Sequence, residues 1–195
     1  SFNAYNLLAI YGAADLLGLE TLNTLQLMSE LESVEGRFQY LISKNNITAI
    51  VDYAHTPDAL KNVLETINTI RTKNEELITV VGCGGDRDIS KRPKMGAIAA
   101  TLSTKVIFTS DNPRNENPAT IIDAIEKGVP GEYFSKTISI SDRKQAIKAA
   151  CQLANEGDII LIAGKGHETY QEIKGERFGF DDFKIINELL KALNK

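Results

Sequence analysis

Charged and polar side chains gather in four short segments, each at the end of an apolar, β-branched run. The segments are DYAHTP, GCGGDRD, SDNPR and GKGHE, and they end the runs at 47–53, 77–82, 105–109 and 158–163. Near-continuous apolar strands separated by helices are typical of a parallel sheet that is covered on both faces. In such a sheet the four segments emerge at one edge, where open α/β folds bind ligands. We therefore expect a binding site at that edge.

The residue types in these segments suit a ligand that carries several carboxylates and an amine. Arg114 follows the turn-forming triplet 111–113, and its planar guanidinium can bind a carboxylate through two hydrogen bonds. Together with Arg87, Glu168 and the aspartate of the triplet, it would form a pocket for a zwitterion. Plainer interpretations exist, because Arg87 lies between two aspartates and could form a surface ion pair, while the triplet could be only a turn.

The glycine-rich segments do not match a nucleotide-binding motif. Gly82, Gly84 and Gly85 could hold a phosphate on backbone N–H groups, but Arg87 stands where the dinucleotide fingerprint needs its third glycine. The sequence also contains no Walker motif, since GKGHE lacks the required upstream glycine and following Ser or Thr. His55 could be a ligand-binding residue or a histidine bonded within its own loop, and both interpretations remain open.

The rest of the pattern predicts an α/β fold with a mostly parallel sheet. A weaker strand is predicted at 136–140, and a hairpin at 170–180. Amphipathic stripes predict helices around 60–70, 95–102, 121–125, 147–154 and 183–193. Two of these helices have clear start signals, because Thr56-Pro57 and Asn117-Pro118 each place a capping residue before a first-turn proline.

The opening of the chain has a different pattern. It contains two short helical stretches and no strand, so we predict that residues 1–35 are a helical tail of another domain, truncated here. The polar stretch SVEGRFQ carries the predicted boundary, with the second domain covering residues 36–195. A chain that begins so abruptly is expected to belong to a longer protein.

Composition excludes several classes of protein. The chain has 22 basic and 26 acidic residues, a net charge of −4, which argues against a broadly basic nucleic-acid-binding protein. No apolar run approaches the roughly 18 residues of a membrane span. The two cysteines are too few for a disulfide framework or a structural zinc site. We therefore expect a cytoplasmic protein without a metal site of its own.

Four motifs in fixed order resemble the C-terminal part of the Mur ligases of peptidoglycan synthesis. They are VDYAHTPDAL, GCGGDRD followed by KRP, the DNPR tetrapeptide, and AGKGHE followed by YQ. The opening FNAYNLLA is similar to the last helices of that family's central, ATP-binding domain. The resemblance covers the whole chain and implies a Rossmann-like sheet with helices on both faces. The DNPR arginine favours the branch that adds meso-diaminopimelate, because lysine-adding relatives lack it.

The resemblance also implies roles for ten residues. Those implied to contact meso-diaminopimelate are Arg87, Asp111, Asn112, Pro113, Arg114, Gly164 and Glu168. Those implied to lie toward ATP are Arg37, Asp52 and His55. No residue of this chain is expected to act as a catalyst or a metal ligand, since ATP and Mg²⁺ would be held mainly by other domains.

The implied activity is ATP-dependent amide-bond formation between meso-diaminopimelate and UDP-MurNAc-L-Ala-D-Glu. The full-length enzyme is expected to be a monomer that binds these small molecules and neither nucleic acid nor membrane. The chain alone should be inactive, because it has no Walker motif to hold the transferred phosphate. Two alternatives stay open: a sibling ligase that adds another amino acid such as L-lysine, and a standalone nucleotide-binding regulatory module.

Overall fold

The computed structural model describes residues 2–30, 36–72 and 74–195. The chain divides into two units, residues 1–34 and residues 35–195. The first unit contains helices α1 (Phe2–Leu16) and α2 (Thr21–Ser29). Gly18 follows α1 with a φ of 74°, and the Glu20 carboxylate caps α2 by accepting hydrogen bonds from the N–H groups of residues 22 and 23. The predicted boundary adjoins residues 31–35, which lie outside the described residues.

The second unit is built on a six-stranded sheet. Its strands are β1 (Gln39–Ile42), β2 (Thr48–Asp52), β3 (Leu77–Val81), β4 (Lys105–Phe108), β5 (Thr137–Ser139) and β6 (Ile159–Ala163). Their spatial order is β1-β2-β6-β3-β4-β5, and only β1 pairs antiparallel with its neighbour. A separate antiparallel hairpin consists of β7 (Tyr170–Ile173) and β8 (Glu176–Gly179). The predicted fold class, an α/β fold with a mostly parallel sheet, is confirmed.

Helices cover both faces of this sheet. They are α3 (Pro57–Ile70), α4 (Lys91–Leu102), α5 (Pro118–Glu126), α6 (Arg143–Leu153) and α7 (Asp182–Ala192). Both predicted start signals act as caps, because the Thr56 hydroxyl accepts from the Ala59 N–H and the Asn117 side chain accepts from the Ala119 N–H. A 3₁₀ helix at Gly131–Lys136 precedes β5.

The core consists of two apolar layers on either side of the sheet. Helices α3, α4 and α5 pack against one face, and α6 and α7 against the other. Along β6, Leu161 faces the first layer while Ile160 and Ile162 face the second. Every residue of β3 and β6 is buried, and a fully buried aliphatic side chain contributes about 1.5–3 kcal/mol. The central strands therefore form a rigid base for the loops at their carboxyl ends.

Among the residues that the structure describes, no helix combines the length and the apolar character that crossing a bilayer requires.

Candidate functional site

A cleft of about 610 Å³ opens at the carboxyl ends of β2, β3, β4 and β6. It is lined by Tyr53, His55, Thr56, Pro57, Gly84, Arg87, Asp88, Lys91, Asp111, Asn112, Arg114, Gly164, Glu168 and Tyr170. Six of the seven residues predicted to contact the amino acid are in this set. Pro113 does not line the cleft, but it lies against Gly85 in the neighbouring loop. A Cβ at Gly85 would be only 2.0 Å from the Pro113 carbonyl oxygen, so the close approach of these two loops requires a glycine there.

Arg114 is fixed by neighbours on two sides. Its Nη1 donates to the Gly85 carbonyl oxygen at 2.8 Å, and its Nε lies 3.2 Å from a carboxylate oxygen of Glu172. Its backbone also bonds to the hairpin, through its N–H to the Glu172 carbonyl and its carbonyl to the Lys174 N–H. With a φ of 50°, Arg114 has an uncommon backbone conformation that these contacts hold in place. The guanidinium is therefore aimed reproducibly at the cleft that it lines.

Arg87 differs from Arg114 because no contact with the described residues fixes its guanidinium. It is exposed, and it makes no hydrogen bond or ion pair with any other residue that the structure describes. The loop that carries it is nevertheless fixed, since the Asp86 N–H donates to Glu116 at 2.6 Å and Glu116 also pairs with the buried Arg92 at 2.8 Å. The surface ion pair between Arg87 and its flanking aspartates is absent, so this guanidinium is available to an anion in the cleft.

A buried lysine links three polar residues beneath the cleft. Lys165 is fully buried, and its Nζ lies 2.9 Å from Asn112 Oδ1, 3.3 Å from Glu168 Oε2 and 3.5 Å from Asp111 Oδ1. Asn112 Nδ2 also donates to Glu168 Oε2 at 2.8 Å. The Asn112 amide thus joins the DNPR and GKGHE segments, which the sequence places more than fifty residues apart.

Gly164 is at the point where β6 turns into this network. Its φ of 118° is a conformation that residues with a side chain rarely adopt, and a Cβ there would lie 2.9 Å from Asp111 Oδ2. Its N–H donates to the Asp52 carbonyl oxygen at 3.0 Å, which also ties it to the end of β2. Glycine is therefore required here by both backbone conformation and space.

Of the three residues predicted to lie toward ATP, Arg37 and Asp52 are near each other, whereas only His55 lines the cleft. Arg37 is exposed and its charge acts on the Asp52 carboxylate, while Asp52 Oδ2 accepts a hydrogen bond from the Phe38 N–H at 2.8 Å. His55 lines the cleft, with its Nδ1 2.9 Å from the Tyr53 carbonyl oxygen and its ring stacked at a tilt on Tyr53. Arg37 and Asp52 are not among the residues that line the cleft. Their role toward ATP stays a prediction.

Asp52 should make folding dependent on pH. Burial raises the pKa of its carboxyl above 3.8, although hydrogen bonds from Phe38 and Ala54 and the charge of Arg37 act in the opposite direction. The folded chain then binds the proton more tightly than the unfolded chain, so the free energy of unfolding falls as pH rises from 3.8 through the raised pKa. Asn cannot ionise, so Asp52→Asn should not lose stability in this way. We expect the free energy of unfolding of Asp52→Asn, measured relative to wild type, to be higher at pH 7 than at pH 4.

Urea unfolding at the two pH values measures this difference. Asp123→Asn, which changes an exposed carboxylate of α5, is the control and should leave the pH dependence as in wild type. An Asp52→Asn variant whose stability follows pH like wild type would contradict the expectation.

Cys83 lies just beyond the end of β3, next to the cleft loop, and its environment makes it a poor nucleophile. Burial raises the pKa of its thiol to about 12, so the reactive thiolate is scarce at neutral pH. Its side chain packs in the apolar layer that also contains Met95.

Sequence reasoning missed several residues that complete the site. The sequence analysis assigns no site role to Lys165, which lies between two predicted residues of its motif. It assigns none to the hairpin residues Tyr170, Gln171 and Glu172 either, although YQ belongs to a motif that carries the resemblance. Gln171 Nε2 donates to the Asp111 carbonyl oxygen at 2.6 Å, and the Glu172 N–H donates to Asn112 Oδ1 at 2.9 Å. The available signal is the run of three consecutive polar residues YQE. Because successive side chains of a strand point to opposite faces, such a run gives neither face of the strand an apolar character.

Comparison with known proteins gives consistent matches. Residues 36–166 match the family described as "Mur ligase, glutamate ligase domain". The chain is 58% identical over 195 residues to UDP-N-acetylmuramoyl-L-alanyl-D-glutamate–2,6-diaminopimelate ligase of Cytophaga hutchinsonii, covering 100% of this chain and 40% of that protein. It is 54% identical over 188 residues to the Bacteroides thetaiotaomicron ligase of the same name, covering 96% of this chain and 39% of that protein.

Solved structures agree with these matches. A structure of a ligase with the same name superimposes with a TM-score of 0.76 at 40% identity, covering 100% of this chain and 39% of that one. The ligase MurC from Thermotoga maritima superimposes with a TM-score of 0.66 at 19% identity, a likeness of fold alone. The chain thus spans about 40% of the length of the relatives that it matches.

Proposed function

Because the chain belongs to the Mur ligase family, we propose that it is the amino-acid-binding, C-terminal part of a ligase that adds meso-diaminopimelate to UDP-MurNAc-L-Ala-D-Glu. Residues 36–195 are the amino-acid-binding domain in this proposal, and residues 1–35 are the last helices of the central domain. Exposed leucines of the first unit support its place in a larger domain, since Leu16, Leu17 and Leu22 are 89%, 79% and 74% exposed.

The observation that carries the proposal is the pairing of cationic and anionic groups in one cleft. Arg114 and Arg87 offer guanidinium groups to two carboxylates, and Glu168 offers a carboxylate to an ammonium group. meso-Diaminopimelate carries two carboxylates and two amino groups, so its charges complement this arrangement. A nucleotide base or a neutral substrate would leave these charges without partners, which is costly in a partly closed cleft.

Catalysis by this chain would consist of positioning. In the family's reaction ATP phosphorylates the acceptor carboxylate and leaves as ADP, and the amine of the bound amino acid then attacks the acyl phosphate and displaces inorganic phosphate. No protein nucleophile is needed. The chain's residues hold the carboxylates and one amino group of the substrate, which keeps the second amino group in line for attack. Side chains that bind far from the reacting amine still contribute to rate, because they fix its alignment.

Mur ligases depend on ATP and Mg²⁺, and we propose that this chain supplies few of the contacts to either. Arg37 is an exposed cation that suits a phosphate, and His55 beside Tyr53 presents an aromatic surface. Among the described residues, no group of three or more His, Cys, Asp or Glu side chains is placed to hold a metal ion. We place both groups mainly on other parts of the full-length enzyme, a cytoplasmic monomer in this proposal.

The test is the amino-acid preference of the full-length ligase. We expect kcat/KM for meso-diaminopimelate to exceed that for L-lysine by roughly 10- to 100-fold. L-Lysine has one carboxylate fewer, so it leaves the Arg114 guanidinium in the cleft without a partner. Steady-state assays with both amino acids, at saturating ATP and UDP-MurNAc-L-Ala-D-Glu, measure the ratio.

Two outcomes would overturn the proposal. A preference for L-lysine would make the protein a sibling ligase, against the presence of Arg114. ATP binding by the 195-residue chain, together with failure of the full-length protein to ligate any amino acid, would favour a nucleotide-binding regulatory module.

A further inference from the structure

Lys165 places an ammonium group at the base of the cleft without lining it. The side chain is fully buried, whereas its three oxygen partners, on Asp111, Asn112 and Glu168, belong to residues that line the cleft. The Tyr170 ring lies on another side, 5.6 Å from Nζ. Burial of an ammonium group is unfavourable unless the group is paired. An apolar side chain of similar length would fill the same space at lower cost if packing were the only requirement.

The ammonium is one of two donors that set which way the Asn112 amide faces. Asn112 Oδ1 accepts from both Lys165 Nζ and the Glu172 N–H, each at 2.9 Å. Because both of these groups are donors, the amide oxygen must face them, and the NH₂ group is left to face Glu168. That NH₂ group then donates to Glu168 Oε2 at 2.8 Å. The buried charge thus reinforces the orientation of Asn112, and it also contacts Glu168 directly through Oε2.

The same ammonium separates two negative charges. Asp111 and Glu168 approach it from different segments, through Oδ1 and Oε2 respectively. Without a cation between them, the two carboxylates would repel each other and shift apart. Both contacts of Glu168 use Oε2, which leaves Oε1 for a ligand.

From these contacts we infer that Lys165 is a positioning residue, which holds Asn112 and Glu168 in the orientation that receives an amino group of the substrate. The inference rests on the proposed function, because it assumes that an amino acid occupies the cleft. Lys165 does not touch the substrate itself. Its loss should therefore weaken amino-acid binding and leave ATP binding nearly unchanged.

The experiment compares KM values in the full-length ligase. We expect Lys165→Met to raise KM for meso-diaminopimelate about 10- to 100-fold, the range for a charge-assisted hydrogen-bond network, with KM for ATP within about twofold of wild type. Lys148→Met, which removes an exposed lysine of α6, is the matched control and should change neither value. Lys165→Gln removes the charge but keeps a donor toward Asn112, and it replaces Lys165→Met if methionine does not give a folded protein.

Chemical rescue distinguishes positioning by a charge from simple packing. In Lys165→Ala, n-propylammonium should occupy the vacated space and lower KM for meso-diaminopimelate, whereas 1-propanol, of similar size and uncharged, should not. The same additives applied to wild type correct for general inhibition. Equal restoration by propanol, parallel increases in both KM values, or an unchanged KM for meso-diaminopimelate would each overturn the inference.

Failure of the proposed function would be detected by a different measurement from failure of the Lys165 inference. It would appear in the wild-type enzyme, as a preference for another amino acid, before any variant is made. The Lys165 comparison would then be carried out with that amino acid, and the same outcomes would decide it.

Discussion

Replacing Arg114 by alanine should cost the full-length ligase roughly 2–4 kcal/mol in kcat/KM for meso-diaminopimelate, because a substrate carboxylate would lose its partner in a partly closed cleft. The guanidinium is held by the Gly85 carbonyl and by Glu172, so it needs little reorganisation on binding. KM should rise far more for meso-diaminopimelate than for ATP. kcat should fall as well if the lost anchor loosens the alignment of the amine.

The comparison with L-lysine makes this prediction specific. Lysine lacks the second carboxylate, so Arg114→Ala should reduce its kcat/KM little, and the preference for meso-diaminopimelate should shrink. Arg114→Lys should restore only part of the preference, since an ammonium keeps the charge without the planar pair of donors. Lys148→Ala is the control, because Lys148 is an exposed cation of α6 outside the cleft lining. An unchanged preference in Arg114→Ala would mean that this residue only braces the loop, and Arg87 would become the residue to test.

The sequence predicted the sheet where the burial pattern is extreme and missed it where the pattern is weak. Strands β3 and β6 are apolar at every position, and this leaves few other interpretations. Strand β1 was not predicted, because it is an edge strand in which half-buried and exposed residues alternate over only four positions. The 3₁₀ helix at Gly131–Lys136 was also missed, since it buries no residue and so leaves no apolar stripe.

The site was predictable as a set of loops and not as a network. Parallel topology brings the ends of β4 and β6 to one edge, and this was enough to place Asp111 and Glu168 in the same region. That Lys165 turns inward while its neighbour Glu168 lines the cleft depends on φ at Gly164 and on the docking of the hairpin. Both depend on tertiary contacts, such as the bond between the Arg114 and Glu172 backbones, that no local pattern encodes.

The largest effect on stability should come from the ion pair between Arg143 and Asp182. Both side chains are fully buried, and the pair is bidentate, with Nε to Oδ1 at 2.9 Å and Nη2 to Oδ2 at 2.7 Å. Burial alone would lower the pKa of Arg143, but the Asp182 carboxylate more than offsets this and holds the pKa above its ordinary value. Removal of either partner would leave an unpaired charge in the core. We expect Asp182→Ala or Arg143→Met to reduce the free energy of unfolding by about 3–5 kcal/mol.

The double variant Arg143→Met/Asp182→Leu should recover much of this loss, because an apolar pair of similar volume carries no uncompensated charge. Recovery should be incomplete, since Arg143 also donates to the Ala163 carbonyl at 3.1 Å and lies 3.4 Å from the Ser110 carbonyl.

Urea unfolding of the chain, followed by circular dichroism, measures all three variants. Single variants as stable as wild type would show that water reaches the pair. Full recovery in the double variant would show that the two carbonyls do not need Arg143. The incomplete recovery expected here would mean that this guanidinium stabilises the exits of β4 and β6, one residue before Asp111 and Gly164 enter the cleft.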